Sequence, residues 1–394
     1  MLNKQRLLTP GPAPLPESVR LAAAADMIHH RKDAFRAMME EIRQGLAELF
    51  GTAEPVLPLS ASGTGAMVAA VNGLFTPGEK VLVVEGGYFG RRWTELALVR
   101  GLRPVVLAVE WGRAVDVAQL AAALRDDGDI AGVLIQHSET STGVLHPVRE
   151  IAALVRQSPA LLVVDGISAV SVTPCPMDAW GIDCLLTGSQ KGLMLPPGLA
   201  LIALSPRARR KAESLGTGDA YFNLPAEFAA NAKGQTHFTS PVSLLIGLRE
   251  SLRLLRAVGL STVYGKQWAL TQMARAGIRA LGLTLFAPEH YTWGLTSILL
   301  PPGMEAAPLL AAAEKQHGVV MAGGQGGALK EHIVRIGHMG YVDYADLAAG
   351  LYAFARSFQD LGGFLGCRNY LEQALEAYRT ALDEGIPEAY VIGN

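Results

Sequence analysis

Short apolar runs alternate with longer amphipathic stretches through the middle of this chain. Residues 80–85, 104–109, 131–136, 160–165, 184–187 and 199–205 are apolar almost without interruption. A strand with one wet face alternates polar and apolar positions, so continuous runs predict strands covered on both faces. Between them, residues 117–125 and 148–155 carry apolar positions at helical spacing. This rhythm predicts an α/β fold around a mainly parallel sheet. Ligands of such sheets bind beyond the carboxyl ends of the strands, so chemistry is expected just after each run.

The pattern changes after about residue 240. Residues 244–258 and 261–281 read as long helices, followed by a strand, a helix and a strand at 296–300, 307–316 and 334–336. This predicts a second, smaller α+β domain. The stretch 216–234 has weak periodicity and predicts a long functional loop or partner-contact segment. Residues 369–383 form one more amphipathic helix before the C-terminal tail.

Composition narrows the class. Of 394 residues, 50% are hydrophobic and 18% charged, enough apolar material for a large core and unlike a disordered chain. Thirty-four basic residues face 36 acidic ones, a net charge of −2, which argues against nucleic acid or an anionic membrane as the main partner. The three cysteines, Cys175, Cys184 and Cys367, form no CxxC pair, so disulfide and zinc architectures are disfavoured and no metal site is expected. The N-terminus lacks a secretory h-region and no apolar stretch reaches membrane-span length, so the expectation is a cytoplasmic protein.

Four features carry candidate chemistry. Lys191, in Ser189-Gln190-Lys191-Gly192, follows a buried run, where desolvation makes an amine nucleophilic; the alternative is a surface lysine. Asp165 ends another run and would hold a cationic partner or cap the next turn. Ser62-Gly63-Thr64 opens a helical pattern at 66–74 and suits an anion, though ordinary N-caps look the same. Arg335 sits inside an apolar run, where a guanidinium needs a carboxylate, from a ligand or from a structural ion pair.

Together these residues resemble the class V aminotransferases, pyridoxal-phosphate enzymes of fold type I, and among them the alanine–glyoxylate and serine–pyruvate or serine–glyoxylate enzymes. The resemblance spans roughly residues 6 to 357. It is carried by Thr9-Pro10-Gly11-Pro12, Ser62-Gly63-Thr64, Glu85-Gly86-Gly87-Tyr88-Phe89-Gly90-Arg91-Arg92, Glu139-Thr140-Ser141-Thr142-Gly143, Val164-Asp165-Gly166-Ile167-Ser168, Gly188-Ser189-Gln190-Lys191, Thr236-His237-Phe238-Thr239 and Arg335-Ile336-Gly337.

It implies a large domain at 15–260 with a mainly parallel seven-stranded sheet, a small domain from 1–14 and 261–360, and a C-terminal helical extension at 361–394. It implies that Lys191 holds pyridoxal phosphate as a Schiff base and that Asp165 pairs with the pyridine nitrogen. Phe89 and Ile167 would cover the two ring faces. Ser62, Gly63, Thr64 and Gln190 would meet the phosphate, with Thr239 reaching it from the partner subunit of a homodimer. Thr236 stands where relatives often carry tyrosine. Thr142 or Thr140 would bond the ring hydroxyl. Arg335 would grip the substrate α-carboxylate beside Gly11.

The expected reaction is ping-pong transamination between alanine or serine and glyoxylate or pyruvate. A transaminase for 2-aminoethylphosphonate or another specialised donor is the nearest alternative. Cysteine desulfurase is disfavoured because no cysteine lies between Lys191 and Arg335. A non-catalytic relative would be expected to lose Lys191 or Asp165, and a nucleotide-binding Rossmann protein would need glycines spaced differently from Gly86, Gly87 and Gly90. His29-His30-Arg31 would read a second polar group of the substrate or form a solvated turn. The loop 323–327, rich in glycine, is expected to be mobile near the entrance.

Overall fold

The computed structural model describes residues 4–216 and 219–390. Seven strands form the main sheet: β1 (Val56–Leu59), β2 (Lys80–Glu85), β3 (Arg103–Ala108), β4 (Ile130–Gln136), β5 (Leu161–Asp165), β6 (Cys184–Gly188) and β7 (Ala200–Leu204). Their spatial order is β1-β7-β6-β5-β4-β2-β3, with β7 antiparallel to both neighbours and the other pairs parallel. The six expected strands are present, each within one residue at either end.

Why the runs are continuous is visible in the packing. Leu82, Val84, Val133, Ile135, Leu162 and Val164 enter one apolar cluster. Their neighbours Val81, Val83, Leu134, Leu161 and Val163 enter a second cluster. Successive side chains point to opposite faces of a strand, so helices cover both faces of the sheet.

Some elements depart from expectation. The edge strand β1 was not among the expected strands. It has four residues and contains Pro58, which an edge tolerates because a missing N–H costs no ladder bond there. The helix Asp33–Phe50 is likewise additional; Phe35, Met38, Met39, Ile42, Leu46 and Leu49 line its buried face. The stretch 216–234 is not one long loop. Leu224–Asn231 is a helix, started by Asn223, whose side chain accepts the Ala226 N–H. Residues 217 and 218 of that stretch lie outside the described residues.

Beyond the main sheet lie two long helices, Val242–Val258 and Leu260–Ala280. A four-stranded antiparallel sheet follows: β8 (Thr284–Leu285), β9 (Leu295–Leu299), β10 (Ala322–Gly323) and β11 (Ile333–Gly337), in the order β8-β9-β11-β10. Arg6–Leu7 pairs in parallel with Val319–Val320, which buries Leu8 among the residues of this second sheet. The chain from Thr9 onward is thereby led back to the main sheet, where the Ala13 N–H donates to the Gln190 carbonyl at 2.9 Å. The C-terminal helix, Tyr370–Glu384, buries Tyr370, Ala374 and Ala381. No helix among the described residues is long and apolar enough to cross a membrane.

Candidate active site

Four parallel strands deliver the site from their carboxyl ends. Phe89 follows β2, Glu139 to Thr142 follow β4, Asp165 ends β5, and Gln190 with Lys191 follows β6. Phe89 lies in the first turn of the helix Tyr88–Arg100.

Asp165 is 4% exposed. Its Oδ1 accepts the Ile167 N–H at 2.8 Å, so the turn-capping role is real. Among the described residues its other oxygen receives no hydrogen bond. Burial pushes this carboxyl up to about 7; the Ile167 bond opposes that rise and the charge of Glu139 adds to it. Lys191 is displaced the other way. Burial lowers its amine to about 8, Arg335 pushes in the same direction, and Asp165 opposes. Its Nζ donates to the Pro10 carbonyl.

Ser62 is the N-cap of the helix Gly63–Leu74 and makes no side-chain cap. The first-turn N–H groups of Gly63 and Thr64 therefore stay open, as anion-binding helix ends require. Gln190, just after β6, lies close by, with Gly188 between its Oε1 and the Gly63 backbone, and among the described residues that Oε1 is buried without a partner. Ile167 packs against Gly63, where a methyl group would lie 2.5 Å from Ile167 Cδ1.

Arg92 was not singled out by its sequence position. Its guanidinium donates to Thr64 Oγ1 at 3.0 Å and lies 4.9 Å from the Phe89 ring centre. Thr140 commits its hydroxyl to Ser168 at 2.7 Å, whereas Thr142 Oγ1 has only a 3.4 Å contact with the Glu139 carbonyl.

Arg335 is 4% exposed, yet among the described residues it has no carboxylate partner, so the structural ion pair is ruled out. It donates to the carbonyls of Gly323 and Thr140 and to Gln325 Oε1, all neutral. Burial lowers its guanidinium to about 10, with Glu139 opposing at longer range.

Glu139 is the residue whose importance was least visible beforehand. It is fully buried and accepts from the backbone N–H groups of Phe89 and Gly90, from Gln136 Nε2, and from Ser141 N and Oγ. Every contact donates to it, so both oxygens act as acceptors. Burial raises its carboxyl while these bonds pull it down. One carboxylate thus joins the helix end bearing Phe89 to the turn whose Thr140 carbonyl holds Arg335.

Three expected positions lie outside this cluster. Arg31 does not reach toward it; its guanidinium ties down Gln235, the Thr236 carbonyl and the His237 carbonyl. Thr236 is buried with its hydroxyl on the Phe238 carbonyl, and Thr239 is exposed. A separate cavity of about 220 Å³, lined by His137, His146, Thr173, Trp180 and Tyr390 among others, shares no residue with the cluster.

The aminotransferase class-V family model matches residues 17–349. A protein of Anabaena cylindrica named soluble hydrogenase 42 kDa subunit is 35% identical over 92% of this chain and 95% of its own length. The serine–glyoxylate aminotransferase of Methylorubrum extorquens is 33% identical over 91% and 92%. The structure of ureidoglycine–glyoxylate aminotransferase from Bacillus subtilis superposes with a TM-score of 0.90 at 26% identity, covering 96% of this chain and 99% of that one. With a family match over most of its length and fold, the chain belongs to the class V aminotransferases, which depend on pyridoxal phosphate.

Proposed function

We propose that the protein transfers the amino group of a small amino acid, alanine or serine, to glyoxylate or pyruvate by a ping-pong mechanism. The observation that carries this reading is Arg335, a buried cation with neutral partners whose charge is felt at Lys191. A substrate α-carboxylate supplies the missing anion and brings the adjacent Cα toward the amine. Serine–glyoxylate and ureidoglycine–glyoxylate enzymes among the relatives support glyoxylate as acceptor.

The residues fit the cofactor. The open helix end at Gly63 and Thr64 and the nearby Arg92 suit a phosphate, and Gln190 would meet it through its amide NH₂ rather than its oxygen. The free oxygen of Asp165 suits a protonated pyridine nitrogen. Pyridoxal phosphate, when bound, supplies an aldehyde that takes up the amino group and a ring that withdraws electrons from the substrate Cα.

Lys191 anchors the cofactor and, once released, moves the proton from the substrate Cα. A Nζ lowered by burial is free base in a useful fraction near neutral pH. Asp165 keeps the ring nitrogen protonated, Phe89 and Ile167 hold the ring between them, and Thr142 bonds its hydroxyl. Thr239 acts from the partner subunit of a homodimer.

The test is the visible spectrum of the holoenzyme with single amino donors and no acceptor. Serine, alanine, aspartate, ureidoglycine and 2-aminoethylphosphonate are added separately, with Lys191→Ala as control. Serine or alanine is expected to bleach the bound-cofactor band; bleaching by the phosphonate alone would reject the α-carboxylate reading.

A further inference from the structure

Arg335 has five N–H groups to place. Nε donates to the Gly323 carbonyl at 2.8 Å. Nη1 donates to the Thr140 carbonyl at 2.9 Å and to Gln325 Oε1 at 3.2 Å, which uses both of its hydrogens. No described residue accepts from Nη2. A carboxylate held by two parallel bonds needs Nη1 with Nη2, or Nε with Nη2. Each fork therefore includes a nitrogen that is already engaged.

The three engaged acceptors are not equally fixed. The Thr140 segment is anchored through its hydroxyl on Ser168 and through Glu139. Gly323 and Gln325 both belong to the segment 323–327, which contains four glycines. Gly326 and Gly327 have φ of +77° and +55°, and a methyl group on Gly326 would stand 3.3 Å from both the Trp111 and Tyr88 rings. The segment thus rests on two aromatic rings beside the cluster, with its one long side chain directed at the guanidinium.

We propose that Gln325 is a placeholder on Arg335: its amide oxygen occupies a prong of the guanidinium until a substrate α-carboxylate displaces it. This inference rests on the carboxylate-gripping role of Arg335 given above. The placeholder keeps the buried cation hydrogen-bonded between turnovers, and a neutral amide yields to a carboxylate because charge-assisted bonds are stronger. An anionic side chain at the same position would not yield.

Gln325→Glu is the test. Its carboxylate would pair with Arg335 and compete with substrate, so KM for both serine and glyoxylate is expected to rise at least tenfold, with the effect on KM rather than kcat. Propionate, which has the carboxylate and no amine, should lose affinity for the holoenzyme in parallel by calorimetry. Gln325→Ala should bind propionate at least as tightly as the wild type. That variant carries the test if the glutamate protein does not fold. Unchanged KM and propionate binding in Gln325→Glu, or weakened propionate binding in Gln325→Ala, overturns the proposal. Arg335→Lys separates the two levels: if it leaves KM and propionate binding unaltered, the role of Arg335 itself fails.

Discussion

Gly11 faces the side chain of Lys191 with no room for a methyl group between them. A Cβ there would overlap Nζ and stand 2.6 Å from Cδ, and Gly11 has φ of +129°, where side chains are disfavoured. Gly11→Ala is therefore expected to displace the lysine or the turn at residues 9–12 in front of it. Cofactor absorbance after dialysis should fall well below wild type, with transamination reduced more than tenfold. Retention of both at wild-type levels would show that the amine does not need this approach.

Asp165 trades stability for chemistry. Its carboxyl is raised from 3.8 to about 7, so between those pH values the folded state keeps a proton that the unfolded state has lost. Stability of the cofactor-free protein accordingly falls as pH rises across that window, and the full penalty stands above about 7. Roughly 3 pH units correspond to about 4 kcal/mol as an upper figure. Asp165→Asn keeps an oxygen for the Ile167 N–H and removes the charge. The cofactor-free variant is expected to resist urea better than wild type at pH 8, with the difference shrinking toward pH 4, while transamination is lost. Equal urea midpoints at pH 8 would contradict the buried-charge account.

The sequence exposes what burial on two faces makes regular. Runs such as residues 131–135 and 160–164 were legible because they carry no polar side chain, and Asp165 and Lys191 stood out because they end or follow such runs. β1 was hidden by its length and by Pro58, and Leu224–Asn231 by its shortness, although Asn223 was a readable N-cap. Arg335 was legible as a misplaced charge. Its partner Gln325 was not, since that contact is made by a glycine-rich turn with no periodicity. Glu139 escaped for a different reason. Its acceptors' work is done on backbone N–H groups about fifty positions earlier, and a backbone donor leaves no trace in side-chain pattern.

That hidden carboxylate is testable in its own right. Gln in place of Glu139 would turn an NH₂ group toward N–H donors, leaving buried donors unsatisfied at about 1–3 kcal/mol each. Glu139→Gln is expected to lower the urea midpoint. It should also raise KM for serine and glyoxylate together, because the Thr140 carbonyl that holds Arg335 shifts with the turn. A purely local packing role would lower the midpoint and leave both KM values where they were.

Arg31 makes three hydrogen bonds to residues 235–237, at 2.7, 2.9 and 3.2 Å. Those bonds fix the loop that presents Thr239, while Thr236 turns its hydroxyl inward to the Phe238 carbonyl at 2.6 Å. If this loop completes the phosphate site of a second subunit, loosening it should act across the interface. Arg31→Ala is expected to weaken pyridoxal-phosphate retention severalfold and to shift the protein toward monomer in sedimentation at low concentration, with the Asp165 and Lys191 side chains untouched. Thr239→Ala should reproduce the loss of retention without the change in assembly, since an exposed hydroxyl adds little to an interface. Were Arg31→Ala to hold its cofactor and its assembly state as wild type does, the loop would be a surface feature of a single subunit, and the phosphate would be held by Gly63, Thr64, Gln190 and Arg92 from one chain alone.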